Sequence, residues 1–254
     1  MKRLILLLVF GIYAAAAPIT VQHREGLVHG FLTLRNLQGE LLANGDLIQN
    51  ERGDRVTSRL VFHFKDGSVA DETAVFSQRG TFRLISDHLI QKGPSFPHPV
   101  EMRINGRSGE VEVHYTEGNQ EKTATDHVKN AADLANGMLL VLLKNVPGTD
   151  SDTRLSYVVA TPKPRVVAFV ASVVDEDEFK TGDEGRKAKV YRLKVDLGGV
   201  TGVLASIFGK NPPDQRIWIL PGEAPAFVKS EGQLAPDGPI WRIELASPTW
   251  KSEK

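Results

Sequence analysis

Between Leu27 and Thr116 apolar and polar residues trade places at every second position in short runs separated by turn residues. In the run from Val56 to Lys65, Val56, Leu60, Phe62 and Phe64 fall on one face, while Thr57, Arg59, His63 and Lys65 fall on the other. Successive side chains leave a pleated strand on opposite sides, so a period of two marks a strand with one dry and one wet face. The flanking Glu51-Arg52-Gly53-Asp54 and Asp66-Gly67-Ser68 are turn sequences. Further on, Val100, Met102 and Ile104 alternate with Glu101, Arg103 and Asn105. After the Asn105-Gly106-Arg107-Ser108-Gly109 turn, Val111, Val113 and Tyr115 alternate with Glu112, His114 and Thr116. These two runs predict a hairpin, and the whole segment predicts an antiparallel meander.

Near Asn130 the period changes. Leu134, Met138, Val141 and Leu142 follow the i, i+4, i+7, i+8 spacing of a helix. Asn130 or Asp133 is placed to cap its start, and Pro147-Gly148 to stop it. Leu139, Leu140 and Leu143 widen its apolar stripe, so the helix is expected to be largely buried or to cover an apolar groove. Strands resume at Leu155–Val159 and Val166–Val174. The acidic run Asp175-Glu176-Asp177-Glu178 and the polar Thr181–Gly185 then read as a long wet loop. Tyr191, Leu193, Val195 and Leu197 mark a further strand, and two late strands are expected at Arg216–Leu220 and Ile240–Leu245 with a turn-rich segment between them.

From Leu197 to Gly209 the chain carries no charge, and Val200, Val203, Leu204, Ile207 and Phe208 repeat the helical spacing. A second apolar helix is therefore expected, ended by Gly209 and Pro212-Pro213. Burying its five large side chains would contribute on the order of 10 kcal/mol, so they should meet a core, a ligand or a partner. The fold class that follows is mainly β with two helices (α+β): a large curved antiparallel sheet or half-barrel wrapped around apolar helices. Residues 18–254 read as one β-rich domain, with residues 126–150 as the place where it would divide.

The first residues change the picture of where the protein works. Met1-Lys2-Arg3, an apolar run from Leu4 to Phe10 and the small residues Ala14 to Ala17 have the three parts of a secretory signal peptide. Residues 1–17 are expected to be removed near Ala16 or Ala17, leaving an exported protein, periplasmic or secreted. No later segment reaches the roughly 20 apolar residues of a membrane span. The chain has 31 basic and 31 acidic residues, and without Lys2 and Arg3 the basic count is 29, a net charge of −2. Nucleic-acid binding depends on clustered cations, so no nucleic-acid partner is expected.

Absent residues exclude chemistry as firmly as present ones suggest it. There is no cysteine, which removes disulfides, thiolate nucleophiles and cysteine-ligated metals. None of the seven histidines stands in HxH or HxxxH register with another, so no metal and no cofactor is expected. Gly198-Gly199 and Gly202 do not match a phosphate-binding loop, and there is no GxSxG elbow. Trp218, Trp241 and Trp250 are too few and too late to line a glycan groove. No catalytic residue emerges, and an enzyme is the less favoured reading.

The segments Asp133-Leu134-Ala135-Asn136-Gly137-Met138-Leu139-Leu140, Arg186 to Val195, Ile217 to Gly232 and Gly238 to Leu245 together resemble an uncharacterised family of exported bacterial proteins. More loosely, the early meander, the mid-chain helix and the closing tryptophan strand, Pro-rich turn and strand are similar to envelope domains of unknown function with the half-barrel of lipoprotein carriers. That likeness implies a concave apolar face. Phe62, Phe64, Met102, Val113 and Tyr115 are the sheet residues expected to meet a ligand, and Met138, Leu142, Leu204 and Phe208 the helix residues. The function expected is non-enzymatic binding of an apolar or lipid-like ligand. The rival is a structural module with a filled core and an envelope protein partner, and a hydrolase with a dispersed triad is third.

Overall fold

The computed structural model describes residues 18–118, 120–146, 152–181, 184–196, 213–236 and 238–246. Eight strands come first: β1 (Val28–Arg35), β2 (Leu41–Arg52), β3 (Arg55–Phe64), β4 (Val69–Arg79), β5 (Thr81–Lys92), β6 (Val100–Asn105), β7 (Glu110–Glu117) and β8 (Gln120–His127). A 3-10 turn at Ala131–Asp133 and the helix α1 (Leu139–Asn145) follow. Six more strands follow among the described residues: β9 (Thr153–Val159), β10 (Arg165–Thr181), β11 (Glu184–Asp196), β12 (Gln215–Leu220), β13 (Ala226–Gln233) and β14 (Ile240–Leu245). All 14 lie in one sheet, in the order β8-β7-β6-β5-β4-β3-β2-β1-β14-β13-β12-β11-β10-β9. Each neighbouring pair is antiparallel.

The sheet is thus two meanders joined where the first strand meets the last, with Leu32 opposite Leu245 and Leu34 opposite Ile243. The predicted hairpin is present as β6 and β7, with Met102 opposite Val113. The α+β class with two helices does not hold. Strands dominate the described residues, and α1 is seven residues long.

Three local departures explain the difference. First, the spacing Leu134, Met138, Val141, Leu142 does not arise from one helix. Leu134 is extended and makes a parallel bridge to Ser156, and Gly137 turns the chain with φ +61°. Only from Leu139 does the backbone coil. All four residues are buried, so two separate pieces of backbone mimic one helical stripe. Second, the acidic run is not a loop. Glu176 pairs with Lys189 and Glu178 with Lys187 in the β10–β11 hairpin, and opposite charges across strands stabilise such pairing. Asp177 also accepts from Trp218 Nε1 at 3.0 Å. Third, the turn-rich segment before Ile240 contains β13, which joins β12 to β14. The second predicted helix, with Leu204 and Phe208, and the amino-terminal residues 1–17 lie outside the described residues.

Between the edge strands β8 and β9 the described part of the crossover is residues 128–146. Asn136 is the clamp of this crossover. Its side chain is fully buried and grips β9 twice, accepting from the Val158 N–H at 2.8 Å and donating to the Val158 carbonyl at 2.9 Å. Ala135 N–H adds a bond to Ser156 O at 2.8 Å. An asparagine carboxamide reproduces the donor and acceptor of a peptide group, so it can cover a strand edge as another strand would. The far side of the crossover packs on β4 and β5, bringing opposite regions of the sheet around a common core that includes Phe62, Phe76, Phe82, Met102, Ile104, Leu134, Met138 and Leu193. Replacing Asn136 by Ala would strand two buried backbone groups at about 1–3 kcal/mol each. Chemical denaturation should show Asn136→Ala losing about 2–4 kcal/mol of stability, whereas Asn36→Ala, on an exposed turn, should lose under about 1 kcal/mol.

Candidate functional site

The inward face of β4 reads Ala70, Glu72, Ala74, Phe76 and Gln78. Glu72 sits opposite Leu60 on β3 and Leu89 on β5, so a carboxyl interrupts an otherwise apolar wall. On β5 the inward positions are first Phe82 and Leu84, then Asp87, Leu89 and Gln91. The parity switches because the β4–β5 register slips between Val75 and Phe76, leaving Ile85 as an extra residue. Such a bulge turns the following side chains to the other face. Ile85 O instead receives the Gly106 N–H at 2.9 Å. A side chain at residue 106 would fall 2.1 Å from Leu84 O, so glycine is needed for this approach. The bulge brings Asp87 inside, where it is 2% exposed.

The crossover covers this acidic pair. A Cβ on Gly137 would stand 2.4 Å from Ala74 Cβ and 2.7 Å from Asp87 Oδ1, and its φ of +61° also favours glycine. The Gly137 N–H hydrogen-bonds to Glu72. Beyond that bond compensation is scant. Glu72 Oε1 and both Asp87 carboxylate oxygens are sealed from solvent without a hydrogen-bond partner. Burial pushes the Glu72 carboxyl up to about 7, opposed only by the Gly137 N–H. Asp87 is raised well above the ordinary carboxylate range by burial and then by Glu72. Tyr157 on β9 completes the cluster; burial, Glu72 and Asp87 hold its hydroxyl protonated far above its ordinary range.

Glu72, Gly137 and Tyr157 all line a cavity of about 370 Å³. Its walls come from both meanders: Leu32, Leu47, Leu60 and Phe62 on one side, Phe169, Ile217, Phe227, Trp241 and Ile243 on the other, with Leu139 and Leu140 of α1 between. Polar groups occur at defined places on this surface. Gln91 donates to Leu234 O at 2.7 Å, and Glu231 pairs with Arg242 at 2.8 Å. Lys144 of α1 is bound at 2.6 Å by Glu25, whose side chain is 4% exposed. Glu25 is held in turn by the buried Gln78, which accepts from its N–H at 2.7 Å and donates to its carbonyl at 3.0 Å. The Asn145 carboxamide secures the same amino-terminal segment by accepting from the Gln22 and His23 N–H groups.

Of the residues expected from sequence to meet a ligand, Phe62 lines this cavity. Phe64 instead packs edge-on against Phe96 at 5.5 Å and beside Trp241 at 5.3 Å. Met102, Val113, Met138 and Leu142 are buried in the core, and Tyr115 packs half-buried at its border. Leu204 and Phe208 are among the residues not described. Sequence reasoning missed Glu72, Asp87, Lys144 and Tyr157. The signal for Glu72 was available, because it occupies an apolar register between Ala70, Ala74 and Phe76. That for Asp87 was hidden by the bulge.

No family model matches this chain, and no curated protein is significantly similar to it. Among solved structures it is similar to a β-barrel-like protein of the domain of unknown function DUF1849 from Brucella abortus. The match has 15% identity, 87% coverage of this chain, 97% coverage of that one and a TM-score of 0.43. At that distance the likeness decides nothing about this chain, whose architecture rests on its own strand order. No helix among the described residues is long and apolar enough to cross a membrane.

The acids make stability depend on pH with a definite sign. A carboxyl whose pKa is higher in the folded than in the unfolded chain holds its proton while the unfolded chain has lost it, so stability falls as pH rises from the unfolded value toward the folded one. For Glu72 that window runs from its ordinary value to about 7. Glu72→Gln retains an acceptor for the Gly137 N–H and removes the ionisation. Urea titrations should find it more stable than the parent at pH 8 by up to about 3 kcal/mol, from 1.36 kcal/mol per unit, with the gap closing toward pH 4. A constant difference across that range would contradict this account.

Proposed function

We propose that this chain is an exported binding protein that takes an apolar molecule into the cavity between its two meanders. The carrying observation is the cavity itself, about 370 Å³ with walls of leucine, isoleucine, phenylalanine and tryptophan. Ligand pockets of small molecules begin at about 300 Å³ and combine apolar walls with a few placed polar groups. A dry void of this size left by poor packing would cost roughly 9 kcal/mol at about 24 cal/mol per Å³, close to the whole stability of a typical domain. The space is therefore one that solvent or a ligand fills. A completely filled core, as a purely structural module would have, does not fit this observation.

Export is supported by the basic start, apolar run and alanine-rich exit at residues 1–17. Expressed in a bacterium, the full-length chain should yield a mature protein whose intact mass corresponds to cleavage near Ala16 or Ala17; a mature chain that keeps Met1 would remove this part of the reading.

Binding is tested by native mass spectrometry after mild extraction and by titration with a fluorescent alkyl probe. The parent should bind the probe, and Leu60→Trp, which places an indole in the cavity, should weaken binding by about tenfold or more, the equivalent of at least 1.4 kcal/mol, with no loss of cooperative unfolding. A parent that carries nothing and binds no alkyl probe of any head group would sink the proposal.

A further inference from the structure

The cavity wall is asymmetric in charge. Among the described residues Lys144 is the only lysine or arginine that lines it, and Glu25 already holds that ammonium at 2.6 Å. Asp71 is engaged on the outer face by Arg59, and Glu231 by Arg242. His88, adjacent to Asp87, points outward to Glu101. What remains without partners is acidic. Among the described residues the buried side-chain oxygens that lack any hydrogen bond are Glu72 Oε1, Asp87 Oδ1 and Asp87 Oδ2. Glu72 lines the cavity, and Asp87, 2% exposed, lies behind that wall against Gly137.

Buried acceptors without donors are costly, and native proteins leave few of them. These three oxygens could have been spared by Gln and Asn at the same positions, or satisfied by a nearby lysine. Instead the structure builds a bulge at Ile85 to bring Asp87 inward, and uses glycine at 137 to let the crossover close upon it. A primary ammonium supplies three N–H donors from one nitrogen, and hydrogen bonds from a cation to a carboxylate are about twice as strong as neutral ones.

We propose that the ligand of this cavity is an amphiphilic amine, an apolar body ending in a primary ammonium group that docks on Glu72 beside Tyr157, with Asp87 in the layer behind. The body lies against Leu60, Phe62 and Leu139, and the ammonium supplies the donors that the Glu72 carboxyl lacks. A ligand ending in a carboxylate would add a third acid to two that already repel, so the site selects against it. This inference rests on the cavity being a binding site, and the experiment separates the two.

Decylamine, decanol and decanoic acid share one alkyl chain and differ only at the head. Their affinities for the full chain are measured by displacement of a neutral fluorescent alkyl probe at pH 6 and pH 8. At pH 8 decylamine should bind at least about tenfold tighter than decanoic acid, with decanol between them. Decylamine affinity should rise from pH 6 to pH 8, because the amine stays charged below about pH 10 while Glu72 loses its proton at about 7. The Glu72→Gln variant, which keeps shape and one acceptor, should lose most of the preference for decylamine over decanol and its pH dependence, and Asp87→Asn part of that preference. Decanol binding with no preference for decylamine would overturn the amine assignment and leave the cavity reading intact. Failure of all three probes would overturn both.

Discussion

An open antiparallel sheet has two edges whose peptide groups must be satisfied, and in this protein one is covered by the chain's own crossover. Asn136 and Ala135 lie along β9 and satisfy Val158 and Ser156. The placement of Gly137 and of α1 follows from that attachment. With its outer side fixed to β9, the crossover presents Gly137 to Ala74 and Asp87 on the opposite meander. The helix α1 begins two residues later and is thereby placed across the concave face, where Leu139 and Leu140 meet the cavity. A side-chain carboxamide therefore does the work of a barrel-closing strand while leaving room that a strand pair would have filled.

The closure is made at some cost. Two raised carboxyls lie beneath it, and the loop that covers them supplies one N–H in compensation. Fourteen hydrogen-bonded strands and a contiguous apolar core can bear a few kcal/mol of such strain. The same region holds the buried Lys144–Glu25 pair and the Gln78 carboxamide that steadies it. The contrast is informative: the lysine on the cavity wall has a buried carboxylate partner, and Asp87 has no donor. Polar groups in this core follow no uniform rule of satisfaction; their deficit is concentrated at one wall.

Much of the sheet was legible in the residues. Phe62 and Phe64 against Arg59 and His63, or Met102 and Ile104 against Arg103, announce strands directly because each strand has one wet face. The helices were less legible, for a physical reason. Leu134, Met138, Val141 and Leu142 all face the core, but an extended residue, a glycine turn and a short helix can present four buried side chains at helical spacing without being one helix. Charge misled in the opposite direction at Asp175–Glu178, since a run of acids looks solvated until its basic partners on β11 are known. The site was least legible of all. Glu72 breaks the register of an apolar face and could have been noticed, whereas Asp87 points inward only because Ile85 is bulged, and a bulge is a property of pairing between strands that no single run of residues displays.

That dependence on pairing also explains why the acidic cluster is so local. Beyond the bulge β5 returns to an apolar and amide face at Leu89 and Gln91, and before it Phe82 and Leu84 are fully dry. One extra residue thus converts a position that the alternation would have given to solvent into an interior one, at the single point where Ala74 and Gly137 leave space for a carboxylate. Removing the bulge would return Asp87 to the outer face and rotate every later inward residue of β5 with it. The acid's burial and the register of half a strand are therefore one structural decision. The two cannot change separately.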